Sequence, residues 1–354
     1  MTIDLPGFVD HHTHLLRVAT ETASPCDYSD PTAIAAYHRR VAAAGSTPMD
    51  EPPAAMGVSD VAGAIGSWLT RAARLGLVEI TEAGLSDWGH YDALRELRER
   101  GPLPTRVRIL VASGAASDED RMARTGDPWL DVIGVKFYAD GWLGPRTCAL
   151  CRPFHDRPDD DGVLFLDAET LARRAAPFAE AGWVIATHAI GDRAIEAVLD
   201  AYQLVFGDGP AAVPPRIEHA QVIQPDLVAR MAAQGVVACI QPGFASSDAE
   251  HVEQGLGPER GRTAYDWRAM IDAGVDVVAG SDFPIEPLAP LLGLQRVVVG
   301  PPAKLPLATA LSIMTDSDRG TTVLATDPSL VPPDAIAAID VVETRPAPMR
   351  NWRV

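Results

Sequence analysis

The chain has 354 residues and a formal net charge of −18. Its 47% hydrophobic and 22% charged residues describe a folded globular protein long enough to bury a core without disulfides. The acidity repels nucleic acid and anionic membranes, so neither is expected as a partner. Eight short apolar or β-branched runs read as strands, at 7–14, 77–82, 105–111, 131–138, 183–188, 215–219, 236–241 and 276–281. Amphipathic helical stretches lie between them, near 92–100, 168–181, 192–205, 226–234 and 266–273. Strand–helix alternation repeated in this way predicts an α/β fold, a (β/α)8 TIM barrel. A doubly wound open sheet is the alternative. It fits less well, because no glycine-rich dinucleotide loop follows the first strand.

Residues 1–354 read as a single barrel domain, with a Pro-rich tail from 325 to 354 packing on its outside. Two long connections stand out, 15–60 and 139–165. Loops of this length at the C-terminal ends of barrel strands are expected to shape or cover the mouth. The opening MTIDLPGFVD has neither a basic n-region nor an apolar h-region, and no apolar run reaches membrane-spanning length. A cytoplasmic location is the expectation. Four cysteines are too few for a disulfide scaffold. Cys148 and Cys151 form a single C-x-x-C without the second pair a structural zinc site wants, so they read as two ordinary thiols.

The strongest chemical signal lies in the first strand, GFVDHHTH. Side chains alternate along a strand, so His12 and His14 share a direction, and two imidazoles at one barrel mouth can hold a divalent metal. Four later strands close on a metal-capable residue: VIGVK on Lys136, WVIATH on His188, RIEH on His219 and VVAGSD on Asp282. A lone strand-end histidine is more often a satisfied core residue. Five strands delivering such groups to the same end of one barrel point to an active site. Lys136 is notable because only it and Lys304 are lysines.

These segments, with VKFYADGWLGPRT, THAIGDRAIEAVLDAY, YDWRAMIDAGVDV and GSDFPIEPLAPL, resemble the amidohydrolase superfamily, in particular the branch called amidohydrolase family 3. The resemblance covers most of residues 7–292. It implies a metal-dependent hydrolase with two divalent ions, zinc first among the candidates. His12, His14 and Asp282 would bind the more buried ion and His188 and His219 the second. Lys136, as a carboxylated lysine, would bridge both. An ordinary lysine is a cation at neutral pH. Burial beside cations frees the amine, which can add carbon dioxide to give an anionic carbamate. Asp282 would serve as general base and acid for cleavage of a C–N bond in an amide or cyclic amide.

Asp140, Trp142, Arg146 and Asp192 are candidates for substrate contact. Family members often carry a serine where this chain has Trp142, and a large aromatic there would narrow the pocket or stack on a ring. Asp192 has an equal claim as an acid at a helix N-terminus. Glu218 is expected on the opposite face from His219, in a structural role. His38, His90, His155 and His251 fall outside the pattern and read as surface or loop residues, although His155 and His251 could reach the mouth.

Two other functions remain open. A mononuclear ring deaminase would place a proton-shuttling glutamate three residues after His188, where this chain has Gly191. A non-catalytic metal-binding barrel would lack ligands, and all six are present. The resemblance also implies a β-sandwich, whose leading half is not found before the metal motif. The expectation is a nearly bare barrel, with IAAIDVVETRPAPM a strand-like remnant lacking a partner. Apolar surface left by the missing half would favour a homodimer.

Overall fold

The computed structural model describes residues 2–19, 30–50, 60–118, 121–300 and 304–348. All eight predicted strands form: β1 (Ile3–Thr13), β2 (Leu77–Leu85), β3 (Arg106–Ala112), β4 (Leu130–Tyr138), β5 (Val184–Ala189), β6 (Arg216–His219), β7 (Val237–Ile240) and β8 (Val277–Ala279). They pair in sequence order, each parallel to the next. Every residue of β3, β4, β5 and β6 is buried, as expected of parallel strands covered on both faces.

The ring closes where the chain beyond β8 meets β1. Asp282 N donates to His12 O and His14 N donates to Phe283 O, each at 2.7 Å. Gly280 permits this approach, because a Cβ there would stand 2.5 Å from His12 N. The same bonds bring two of the predicted site residues, His12 and Asp282, into backbone contact.

Aspartate caps several of the helices. Asp30, Asp60, Asp87, Asp167 and Asp266 each accept a backbone N–H of the first turn. Part of the acidity is therefore structural.

The C-terminal remnant is not partnerless, which corrects one expectation. β10 (Val341–Pro346) pairs antiparallel with β9 (Thr315–Leu324), and β9 pairs antiparallel with the first residues of β1. β9 escaped the sequence reading because TDSDRGTTVL opens polar. It lies outside the ring, and burial in succession is confined to its closing residues 322–324.

Both long connections reach the mouth. The first contains the helix Pro31–Ala43, and its residues 20–29 and 51–59, Cys26 among them, lie outside the described residues. The second folds back as an ordered loop with an Asp140–Leu164 bridge. Cys148 is buried and Cys151 exposed, and both are free thiols. Among the described residues no helix is long and apolar enough to cross a membrane.

Candidate metal centre

His12, His14, Lys136, His188, His219 and Asp282 all line one cavity of about 820 Å³ at the C-terminal ends of the strands. They arrive by different local routes. In β4, β5 and β6 the register pairs Lys136 with Ala186 and Arg216, and Tyr138 with His188 and Glu218. Residues paired across parallel strands share a face, so Lys136, His188 and Glu218 all point inward. Alternation alone would turn His219 outward. Its backbone is left-handed, φ 79°, which swings the ring into the mouth. Asp282 sits in the same uncommon region, φ 56°. Strain of this kind is held at sites whose geometry the surrounding fold dictates.

Three imidazoles have one ring nitrogen committed. His12 Nδ1 lies 2.6 Å from Glu218 Oε2, His219 Nδ1 lies 2.7 Å from Gln241 Oε1, and His188 Nε2 lies 3.1 Å from Gly141 O. Each partner atom is an acceptor, so each of these nitrogens carries the hydrogen and the other ring nitrogen presents a lone pair. Among the described residues, His12 Nε2 and Asp282 Oδ1 are buried without a hydrogen-bond partner. They face each other at 3.4 Å, and His14 Nε2 lies 3.3 Å from the same oxygen. Donor atoms of His12, His219 and Asp282 lie within 4.8 Å of one another. A buried lone pair against a carboxylate oxygen is unfavourable unless a cation lies between them. His12, Glu218 and Cys239 form a second close group, but there the Arg216 guanidinium already meets Glu218, with Nε at 2.9 Å.

Burial depresses the Lys136 ammonium below the usual lysine range, against the pull of Glu218 and Asp282. Burial, with His219 and Lys136 nearby, holds His188 well below the ordinary imidazole value. Burial, then His12, brings His219 down to about 3. Burial pushes Asp282 up, but His12 and His14 outweigh it and hold the carboxyl well below the carboxylate range. The site thus favours neutral rings at His188 and His219, an ionised Asp282 and a lysine more easily deprotonated than usual, whereas burial pulls His14 down but Asp282 and Glu82 outweigh it and raise it above the ordinary imidazole value.

The profile of the amidohydrolase family matches residues 58–320. The chain belongs to the amidohydrolase family. It is 32% identical over 280 residues to the protein YtcJ of Bacillus subtilis (strain 168), which carries a provisional amidohydrolase name; the match covers 69% of this chain and 51% of YtcJ. It is 33% identical over 130 residues to the N-substituted formamide deformylase of Arthrobacter pascens, covering 36% of this chain and 24% of that one. The chain spans about half the length of YtcJ and less of the deformylase. In fold it is similar to an uncharacterized metal-dependent hydrolase from Pyrococcus furiosus, with a TM-score of 0.70 at 20% identity over 97% of this chain and 85% of that one.

Of the four predicted substrate contacts in this amidohydrolase, Trp142 lines the cavity and Asp140, Arg146 and Asp192 do not. Asp140 is fully buried, and its carboxylate accepts the backbone N–H groups of Ala149, Ile190 and Gly191. Burial pushes its pKa up to about 7 against those bonds. Arg146 is spent on Asp156 and on the carbonyls of Leu143 and Gly144. Asp192 opens the helix Asp192–Phe206 and accepts Cys151 N at 2.8 Å. All three brace the 139–165 loop.

His38 and His90 are buried and line the cavity, contrary to their reading as surface residues. His251 also lines it, whereas His155 does not. Sequence reasoning missed Glu218 and Gln241 as partners of the site histidines. Gln241 had a usable signal: it follows the apolar run VVACI just as the other site residues follow theirs.

Proposed function

We propose that this chain is a metal-dependent hydrolase that cleaves the C–N bond of an amide or cyclic amide in a small molecule. The observation that carries the proposal is the buried pair His12 Nε2 and Asp282 Oδ1, 3.4 Å apart and without hydrogen-bond partners. An imidazolium bridging Glu218 and Asp282 would leave its Nε2–H without a well-aligned acceptor in a dry site. A cation satisfies both atoms. The name of the Arthrobacter relative, a deformylase of N-substituted formamides, supports a C–N bond as the target.

In this reading His12 and His14 with Asp282 would hold one divalent ion and His188 and His219 the other. Lys136 would contribute as a carbamate, formed when its neutral Nζ bonds to the carbon of carbon dioxide and loses a proton. Zinc suits so imidazole-rich a set, and ions held there would supply Lewis acidity: a water acidic near neutral pH and a polarised carbonyl. Asp282 takes the proton of the attacking water at its carboxylate and returns it to the nitrogen as the C–N bond breaks. Glu218, Gln241 and the Gly141 carbonyl keep the three ring N–H groups turned away from the reacting atoms.

The ring-deaminase alternative loses support at Gly191. A Cβ at that position would stand 1.9 Å from Ala149 O, so no proton-shuttling side chain fits there.

Protein purified without chelator is expected to carry about two equivalents of metal, and chelation followed by re-metallation should abolish and restore amide hydrolysis. Metal-free protein that refuses added zinc and still hydrolyses amides would overturn the proposal.

A further inference from the structure

The cavity is far larger than six ligands and an amide group require. About 820 Å³ suits a drug-sized ligand, and most of its wall is apolar. An aromatic surface begins at the candidate centre itself. Tyr138 stacks on His188 with ring centroids 3.7 Å apart and planes 13° apart. Trp142 Nε1 donates to the Tyr138 hydroxyl, which ties the two rings together. His38 packs edge-on against Trp142 at 5.5 Å. Its Nδ1 is engaged by Thr147 Oγ1 at 2.9 Å, and burial keeps its pKa near about 4, so it presents a neutral ring at pH 7. Across the mouth, on the chain that follows β7, Phe244 stacks on His219 at 6.1 Å. Met49 and Leu85 also line the space.

The charges point the same way. Away from the six candidate ligands, Glu82 and Asp248 line the cavity, and Asp248 accepts the Tyr265 hydroxyl. Arg17 also lines it, on the short helix that follows β1. Two carboxylates against one guanidinium give the wall no positive surplus to hold an anionic tail, whereas an uncharged apolar group near His188 meets the rings of Tyr138 and Trp142.

We infer that the substrate carries a bulky, uncharged, apolar substituent, an aryl group above all, which packs on the Trp142–Tyr138 wall while its carbonyl group lies at the histidine cluster. The inference rests on the hydrolase reading for the carbonyl end only; the aryl subsite stands on the wall.

The test measures binding separately from turnover. Methyl phenylpropyl ketone is an amide isostere that cannot be hydrolysed. Its affinity for the metal-loaded protein would be measured by calorimetry against methyl propyl ketone and methyl carboxypropyl ketone. The aryl ketone should bind roughly tenfold or more tighter than either, the factor expected for burying a ring. Trp142→Ala should erase most of that advantage, and Trp142→Phe should keep it, with metal content unchanged in both. Equal binding of the three ketones, tightest binding of the carboxylate, or indifference to Trp142→Ala would overturn the inference. The ranking in the unaltered protein decides even if a variant fails to fold. Failure of the hydrolase reading would look different: the ketone ranking would hold while no amide was turned over.

Discussion

His12 on β1 and Glu218 on β6 hold each other across the barrel, Nδ1 to Oε2 at 2.6 Å, with both side chains fully buried. β1 and β6 are not neighbours in the sheet, so the contact spans the interior. Arg216 braces Glu218 from below, with Nε 2.9 Å from Oε1, and also donates to His11 O at 3.0 Å. This chain of contacts fixes the ring of His12 so that Nε2 faces Asp282.

Glu218→Gln should therefore weaken metal binding about 10- to 100-fold while leaving the fold intact, as loss of a carboxylate behind a metal-bound imidazole does. Glu218→Ala should also destabilise the protein, by about 3 kcal/mol or more, because it strands the buried Arg216 charge. Competition with a chromogenic chelator measures the first effect and urea unfolding the second. Unchanged affinity in the glutamine variant would remove Glu218 from the site.

Lys136→Ala should lose at least one metal equivalent and most of the activity. A carbamate on the native lysine should appear as a carbonyl signal after incubation with carbon-labelled bicarbonate. Its amine is buried and depressed from the lysine range, so the neutral form that adds carbon dioxide is accessible. A variant that keeps both metals would sink the bridging role.

What could be read in the sequence follows from what a barrel strand must look like. Strands buried on both faces are apolar runs, and a polar residue closing such a run is conspicuous. His188, His219, Lys136 and Asp282 stand out in that way. Glu218 is hidden because strand alternation sets it on the face opposite His219, whereas the left-handed backbone at His219 lets both side chains reach the barrel interior. His38 was hidden because it lies on a helix of the β1–β2 connection, and no local periodicity says that such a helix will lean over the mouth. Asp140 and Arg146 looked like substrate contacts because they follow the lysine strand closely. Asp140 is consumed by backbone N–H groups of its own loop and of the chain after β5, and Arg146 by Asp156.

Asp140 gathers three backbone N–H groups from two loops, at 2.8, 3.0 and 2.8 Å. Asp140→Ala strands all three in a buried site, at about 1–3 kcal/mol each, and should cost on the order of 3 kcal/mol or more. Asp140→Asn keeps one carboxamide oxygen as an acceptor and should fall between the two. Because these bonds hold the start of the Trp142 loop against the end of β5, the loss of stability should be accompanied by weaker aryl-ketone binding. Chemical unfolding of the three proteins gives the order, and an alanine variant as stable as the parent would refute the clamp.

His38 makes folding depend on pH in a predictable direction. Burial lowers its pKa from 6.5 to about 4. Between those values the unfolded chain binds a proton that the folded chain does not, so the native state loses stability as pH falls from 6.5 toward 4 and keeps its full contribution above 6.5. The loss from this one group approaches about 3 kcal/mol at the acid end. His38→Gln has no proton to gain, so the fall in unfolding free energy between about pH 7 and about pH 4.5 should be smaller in the variant by up to that amount. Other acid-sensitive groups are common to both proteins and cancel in the comparison. Parallel pH profiles for parent and variant would mean that His38 is protonated as readily when folded as when unfolded, and the neutral aromatic wall at the mouth would then lose one of its rings.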